Sequence, residues 1–348
     1  MANKQYKAVA LVSGGLDSML AAKVMLEQGI HVEGINFYTG FCVEGHTHAI
    51  RKKDKQKEKR NNALWVAETL GIKLHIVDVI EEYKDVVLNP VHGYGQNLNP
   101  CLDCKGFMVR KAVEWIKQND FDFIITGEVM GQRPMSQRKE TMPVIAKESG
   151  ANELLLRPLC AQNLPPTLPE TEGWVDREKL YDFSGRSRKP QMALAKEFKL
   201  TDYAQPAGGC CFLTDANYSA KLSDLWSARG ERRYEIDDIM LLKVGRHIRP
   251  AKEYKIIIAR EEGEVKYLEG YRKQYTSVKA LSHHGPIALI DGYYEQKDLD
   301  LVASIVARFS QGRDAETVEM EIRDKSGECQ TLNISPLKPD KILPEWYL

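Results

Sequence analysis

The sequence predicts an α/β protein: a doubly wound, Rossmann-like parallel sheet followed by a smaller α+β domain. Strand-length apolar runs alternate with segments of helical period through the first part of the chain. A glycine pair separates the first such run from the first helix. From about Arg229 the pattern changes to short strands. The expected domains are residues 1–228 and 229–348, as suits a chain of 348 residues.

The elements follow in order. Residues 8–12 are an unbroken apolar run, the signature of a strand covered on both faces. Residues 19–26 space their apolar side chains as a helix that ends at Gly29. Residues 32–37 read as a second strand, 61–70 as a helix and 73–79 as a third strand. Residues 107–118 read as a helix, and 121–127 as a fourth strand ending in Gly127. This βαβ order places ligands at the carboxyl ends of the strands. The proline-rich stretch 164–169 reads as a connector, and a helical run up to Leu200 returns the chain to the first domain. In the second domain, residues 255–259 and 286–290 read as strands and 299–309 as a helix.

Acidic and basic residues balance at 49 each, so net charge neither predicts nor excludes a nucleic-acid partner, and any basic surface is local. The run from Arg51 to Arg60 is one such surface, either a solvated face or a phosphate-backbone contact. Without a long apolar span or a signal-like start, the expected location is cytoplasmic and off the membrane. Seven cysteines, an odd number with no export signal, point to reduced, metal-binding or catalytic thiols.

The most informative segment is Ser13-Gly14-Gly15-Leu16-Asp17-Ser18, between the first strand and first helix. Paired glycines let the backbone approach a phosphate, the serines add hydroxyl donors, and the helix N-terminus favours negative charge. A Walker loop needs a lysine that is absent here. Asp17 instead suits a Mg²⁺ ion bridging to the bound phosphates. Asn36 and Phe37, ending the second strand, are placed to contact the adenosine, together with Gly127 at the end of the fourth. Arg133 is a candidate to steady the α-phosphate or the activated base.

Cys101 and Cys104 stand three residues apart at the entry to a helix, where a dipole favours thiolates. Cys210 and Cys211, after Gly208 and Gly209, offer a further contribution. A zinc site on Cys101, Cys104, Cys210 and Cys211, a persulfide-carrying redox pair of Cys104 and Cys211, and buried inert thiols are all open readings. The favoured one is an iron–sulfur cluster on Cys101, Cys104 and Cys211, with Cys210 as the alternative third ligand and one iron left open. Cys42, Cys160 and Cys329 read as packing residues, although Cys42 follows the second strand at the ligand edge.

The SGGLDS hexapeptide resembles the loop of the ATP-pyrophosphatase (PP-loop) superfamily, whose members cleave ATP between the α- and β-phosphates. The order of loop, NPC-LDC segment and GCCF segment resembles the PP-loop tRNA thiolases. In the 2-thiouridylases a cysteine follows Asn-Pro by the interval of Cys104, and a second precedes Phe as Cys211 does; Cys101 stands where many have Asp. The segment from Thr126 to Gln132, with Ser136 and Gln137, is similar to one of the 4-thiouridine synthetases. The resemblance spans roughly residues 6–220. It implies a HUP/PP-loop fold and an ATP-dependent tRNA sulfurtransferase using Mg²⁺ and a [4Fe-4S] cluster, with zinc as the alternative. Cys104, Cys211 and Asp17 would be its catalytic residues.

Neither the RNA-binding module that precedes the loop in 4-thiouridine synthetases nor a C-terminal rhodanese domain is expected, which implies free sulfide or an external sulfur donor. The segment from Leu242 to Arg249 is weakly similar to the NFACT-R RNA-binding module. An oligomer is compatible with the sequence. The competing readings are a PP-loop enzyme forming an amide or nitrile on a small molecule, and a non-catalytic RNA-binding iron–sulfur sensor. Intact Ser13, Asp17 and Ser18 argue against the latter.

Overall fold

The computed structural model describes residues 4–43, 60–204 and 210–348. Five strands, β1 (Lys7–Leu11), β2 (His31–Tyr38), β3 (Leu74–Asp78), β4 (Phe123–Thr126) and β5 (Leu155–Leu156), form a parallel sheet in the order β3-β2-β1-β4-β5. The chain winds outward from β1 to β3, then returns to place β4 on the other side of β1. Strand order therefore reverses between β1 and β4, where sheets of this type open a crevice at their carboxyl ends.

Helix α1 (Leu16–Glu27) starts directly after the glycine pair and buries eight of its twelve residues, among them Met19, Leu20, Ala21, Ala22 and Met25. Its near-continuous apolar surface suits a helix enclosed by the sheet and its neighbours. Helix α2 (Asn62–Leu70) opens on Asn61, whose side chain accepts from the amides of Ala63 and Leu64. Among the elements of this unit that went unread in the sequence are helix α3 (Ile80–Leu88), the short strand β5 and helix α5 (Thr141–Glu148). Helix α4 (Cys101–Asn119) begins a turn and a half ahead of the expected start at Phe107. Gly106 and the polar residues before it mask that extension, because apolar burial begins only at Phe107. Helix α6 (Lys189–Glu197) completes this unit and packs against α1.

A second compact unit takes the described residues from Cys211 onward, so the units divide ahead of the textural change at Arg229. Helix α7 (Ala216–Arg229) belongs to it for a physical reason. Its Asp224 binds Arg249 at 2.5 and 2.7 Å, and its Arg229 grips Asp238 of α8 (Ile236–Leu241) through two bonds of 2.7 Å.

The strands β6 (Arg246–Ile248), β7 (Tyr254–Ile258), β8 (Thr276–Ala280), β9 (Ile287–Gly292), β10 (Val318–Arg323) and β11 (Cys329–Ile334) form an antiparallel sheet in the order β11-β10-β8-β9-β7-β6. Alternate residues of β7 serve its two faces. Ile256 and Ile258 join the core of α10 (Asp298–Arg308) with Val302 and Val306, and Ile257 joins that of α9 (Glu262–Glu269) with Leu268. Among the described residues no helix is long and apolar enough to cross a membrane.

His247 on β6 is fully buried, its Nε2 facing the carbonyls of Leu241 (3.2 Å) and Val244 (3.0 Å). Burial, reinforced by Lys221 and Lys255, holds its imidazole well below the ordinary value. The unfolded chain thus binds a proton that the folded chain refuses. Stability is full above about pH 6.5 and falls below it by up to about 1.4 kcal/mol per pH unit. Thermal unfolding between pH 7 and 5 should show this loss, and His247→Gln should flatten it over the same interval.

Candidate active site

The loop after β1 closes on itself. Ser18 donates to the Gly15 carbonyl at 2.8 Å, accepts from the Ser13 amide at 3.3 Å, and lies 3.4 Å from the Ser13 hydroxyl. Gly14 takes φ 78°, a conformation that glycine adopts freely. No side chain caps the start of α1, so its first amides keep their donors available to an anion. A single parallel bridge joins Gly15 to Ala204. On the other side of the crevice, a Cβ at Gly127 would lie 2.4 Å from backbone atoms of Asp17 and Ser18. The chain after β4 is therefore flush against the first turn of α1, which only glycine allows.

Asp17 is the charged centre. Its Oδ2 accepts from Gln132 Nε2 at 2.7 Å and pairs with Arg188 at 2.5 Å. Gln191, fully buried on α6, donates to Gln132 Oε1 at 2.6 Å. Asp17 Oδ1 is buried without a hydrogen-bond partner, an orphaned acceptor whose chemistry fits a cation such as Mg²⁺. Sequence reading found Asp17 and placed Gln132 in the segment similar to that of the 4-thiouridine synthetases, but missed Arg188 and Gln191, whose roles arise from contacts across the fold. The basic run around Arg188 was the local signal for those two. Asn36 Nδ2 donates to the Val12 carbonyl at 2.7 Å and fixes the end of β1, while Phe37 is buried. Arg133 is exposed on the loop after β4.

Beneath the crevice lies a second charged group. Glu128 Oε2 accepts from Thr126 at 2.7 Å and Arg157 at 3.1 Å and lies 3.6 Å from Lys105, the neighbour of Cys104. Burial alone would push its carboxyl up; Lys105 and Arg157 outweigh that and hold it below the usual range. Cys160 donates to the Glu128 carbonyl at 3.2 Å, and burial pushes its thiol up to about 12, as befits a packing residue.

Cys101 and Cys104 occupy the first turn of α4. Burial pushes the Cys104 thiol up to about 12, with further repulsion from Cys210, Cys101 and Cys42. Cys101 is raised by burial and by Cys210, and Arg133 partly offsets this. The thiols acting on Cys104 are thus those of Cys42, Cys101 and Cys210, all in the first compact unit. Cys210, the alternative third ligand, lies beside this group, and its carbonyl accepts from the Val43 amide at 3.4 Å. Cys42, read as packing, also joins it. Cys211 opens the second unit. Among the described residues no three His, Cys, Asp or Glu side chains converge closely enough to hold a metal. Residues 51–59 of the basic run, with Gly208 and Gly209, lie outside the described residues.

Fold and loop define a HUP-type, Rossmann-like α/β domain with a separate antiparallel-sheet domain after it. Residues 6–149 match the family described as tRNA methyl transferase HUP domain, and residues 245–347 match the NFACT protein RNA binding domain. The chain is similar to the tRNA-specific 2-thiouridylase MnmA of Campylobacter curvus, 32% identical over 35% of this chain and 34% of that protein. It is also similar to a probable tRNA sulfurtransferase of Thermococcus kodakarensis, 30% identical over 42% of this chain and 35% of the relative. The chain thus spans about a third of the length of these relatives, both of them transferases. A solved structure, the U34-tRNA thiolase NcsA from Methanococcus maripaludis with its [4Fe-4S] cluster, aligns over 69% of this chain and 74% of that one. Its identity is 17% and its TM-score 0.33, a likeness that carries no argument about chemistry.

Two outcomes follow from this geometry. Gly127→Ala should cost about 1–3 kcal/mol in denaturant unfolding, because the obstructing atoms are backbone. In reduced, metal-free protein at pH 7.5, mass mapping should find the exposed Cys210 and Cys329 alkylated at least about tenfold faster than Cys104 and Cys160.

Proposed function

We propose that the chain is an ATP-dependent tRNA sulfurtransferase. The observation that carries this reading is the presence, in one compact unit, of a phosphate-type loop with an acidic centre and a group of thiols around Cys104. The thiolating relatives support it. A uridine carbonyl is a poor electrophile until its oxygen becomes a good leaving group. In the proposed first step that oxygen attacks the α-phosphate of ATP, the α–β phosphoanhydride bond breaks, and pyrophosphate leaves. The loop amides and Ser13 and Ser18 would hold the departing pyrophosphate, while Arg188 turns from Asp17 toward the phosphates. Mg²⁺ on Asp17 would neutralise phosphate charge. Sulfide, free or from an external donor, then bonds to the activated carbon, and AMP departs with the oxygen.

Thiolates are soft donors, and burial and the neighbouring thiols that disfavour ionisation of Cys101 and Cys104 would be offset by a bound cation; in that chemical sense they fit a metal group. Cys101 and Cys104, with Cys210, would hold a [4Fe-4S] cluster supplying an iron for sulfide, with zinc on the same thiols as the alternative. The other route is a persulfide on Cys104 loaded by an external sulfane-sulfur donor: its outer sulfur bonds to the carbon as AMP leaves, and an external thiol then breaks the S–S bond, forming a disulfide with Cys104. The second unit, matching an RNA binding domain over residues 245–347, would add RNA affinity.

Pyrophosphate release measured with and without tRNA separates these ideas from amide or nitrile formation and from a non-catalytic sensor. Stimulation by tRNA is expected, and Asp17→Asn and Arg188→Ala should each lower the rate by about a hundredfold or more. Cys104→Ala should keep pyrophosphate release and lose thiolation; a variant that thiolates fully overturns both sulfur routes. Anaerobic purification with iron and sulfide analysis tests the cluster directly, and colourless zinc-loaded or metal-free protein would remove it.

A further inference from the structure

Two segments at the carboxyl edge of the parallel sheet carry a group of cations that the chemistry above does not use. The first follows β4. Its amide of Gly131 donates to the Gln137 carbonyl at 2.6 Å, and Ser136 and Gln137 are buried. The closed turn therefore directs Arg133, Arg138 and Lys139 outward, where all three are exposed. The second precedes α6. A parallel bridge joins Met130 to Ser184, the Gly185 amide donates to the Met130 carbonyl at 2.8 Å, and a Cβ on Gly131 would lie 3.5 Å from the Gly185 nitrogen. This seam holds the exposed Arg186 and Lys189 beside the first group.

Among the described residues none of these five exposed cations has an ion-pair partner, whereas most of the buried and half-buried arginines do. Glu140 and Asp182, the nearest carboxylates in sequence, are exposed and take no part in an ion pair with them. Arg133 also acts on Cys101, and Arg188, two residues from Arg186, sits on Asp17, so the cations border both halves of the candidate site.

We infer that this edge is the docking surface for the phosphate backbone of the RNA substrate, with Arg138, Lys139, Arg186 and Lys189 as phosphate contacts. The inference rests on RNA being the substrate. A nucleotide's phosphates are already provided for by the loop, so a row of unpaired cations outside it calls for a longer polyanion. Multiple phosphate neutralisation is how a protein gains sequence-independent affinity for nucleic acid, through release of condensed counterions. The position suits the task, since RNA held here brings a base to the crevice between Asp17 and the thiols.

The test is fluorescence-anisotropy titration of unmodified tRNA with the full chain, without ATP, across a salt series. Two triple variants are compared: Arg138→Ala, Lys139→Ala, Arg186→Ala, and the charge-preserving Arg138→Lys, Lys139→Arg, Arg186→Lys. The alanine variant should bind at least about tenfold more weakly, with a log K against log salt slope shallower by about two, and the charge-preserving variant should match the parent. Undiminished binding and slope in the alanine variant overturns the inference, as does equal loss in both variants. So does undiminished tRNA binding together with loss of binding to polyglutamate, which would mark a site for an acidic protein. Because binding is read without turnover, protein that docks tRNA here and never thiolates it would refute the proposed reaction and leave this surface standing.

Discussion

The site depends on one close approach. Where β1 and β4 diverge, the backbone at Gly127 lies against the first turn of α1 with no room for a Cβ. That contact brings the chain following β4, with Glu128 and Gln132, up to the loop that follows β1. Gln132 can therefore reach Asp17, and Gln191 can reach Gln132. A larger residue at 127 would separate the two halves of the crevice and the charged network with them.

Charge balance organises what surrounds that contact. Asp17 and Glu128 are both enclosed, and each is matched by an arginine distant in sequence, Arg188 and Arg157. An enclosed carboxylate without such a partner would take up a proton or pull in water. Each pair leaves one carboxylate oxygen, Asp17 Oδ1 and Glu128 Oε1, buried without a hydrogen-bond partner. Arg157 is also tied to the Met142 carbonyl, whereas Arg188 has a buried Nε without a partner.

Much of the fold was legible because its signals are local. The apolar run before Ser13, the glycine pair and the helical spacing of α1 act over a few residues, and the structure places a strand, turn and helix there. The same holds for β7, β9 and α10 in the second unit. Helices α3 and α5 gave weaker local signals: four of the nine residues of α3 are charged, and Pro143 stands in the first turn of α5. The start of α4 was hidden by Gly106 and its polar neighbours. The segment that forms helix α7 was placed at the end of the first domain because nothing local reveals that Asp224 will bind Arg249.

The sequence by itself determined the residue types of the site: the serines, glycines and aspartate of one hexapeptide, and two thiols one helical turn apart on α4. Those follow from adjacency, since short loops and first turns are built from neighbouring residues. Only the tertiary structure decided the partners. Arg188 meets Asp17 across 171 residues, and the distant Cys210 raises the Cys104 thiol more than its helix neighbour Cys101 does. Such pairings depend on which strand lies beside which, and a parallel sheet places residues side by side that the chain keeps far apart.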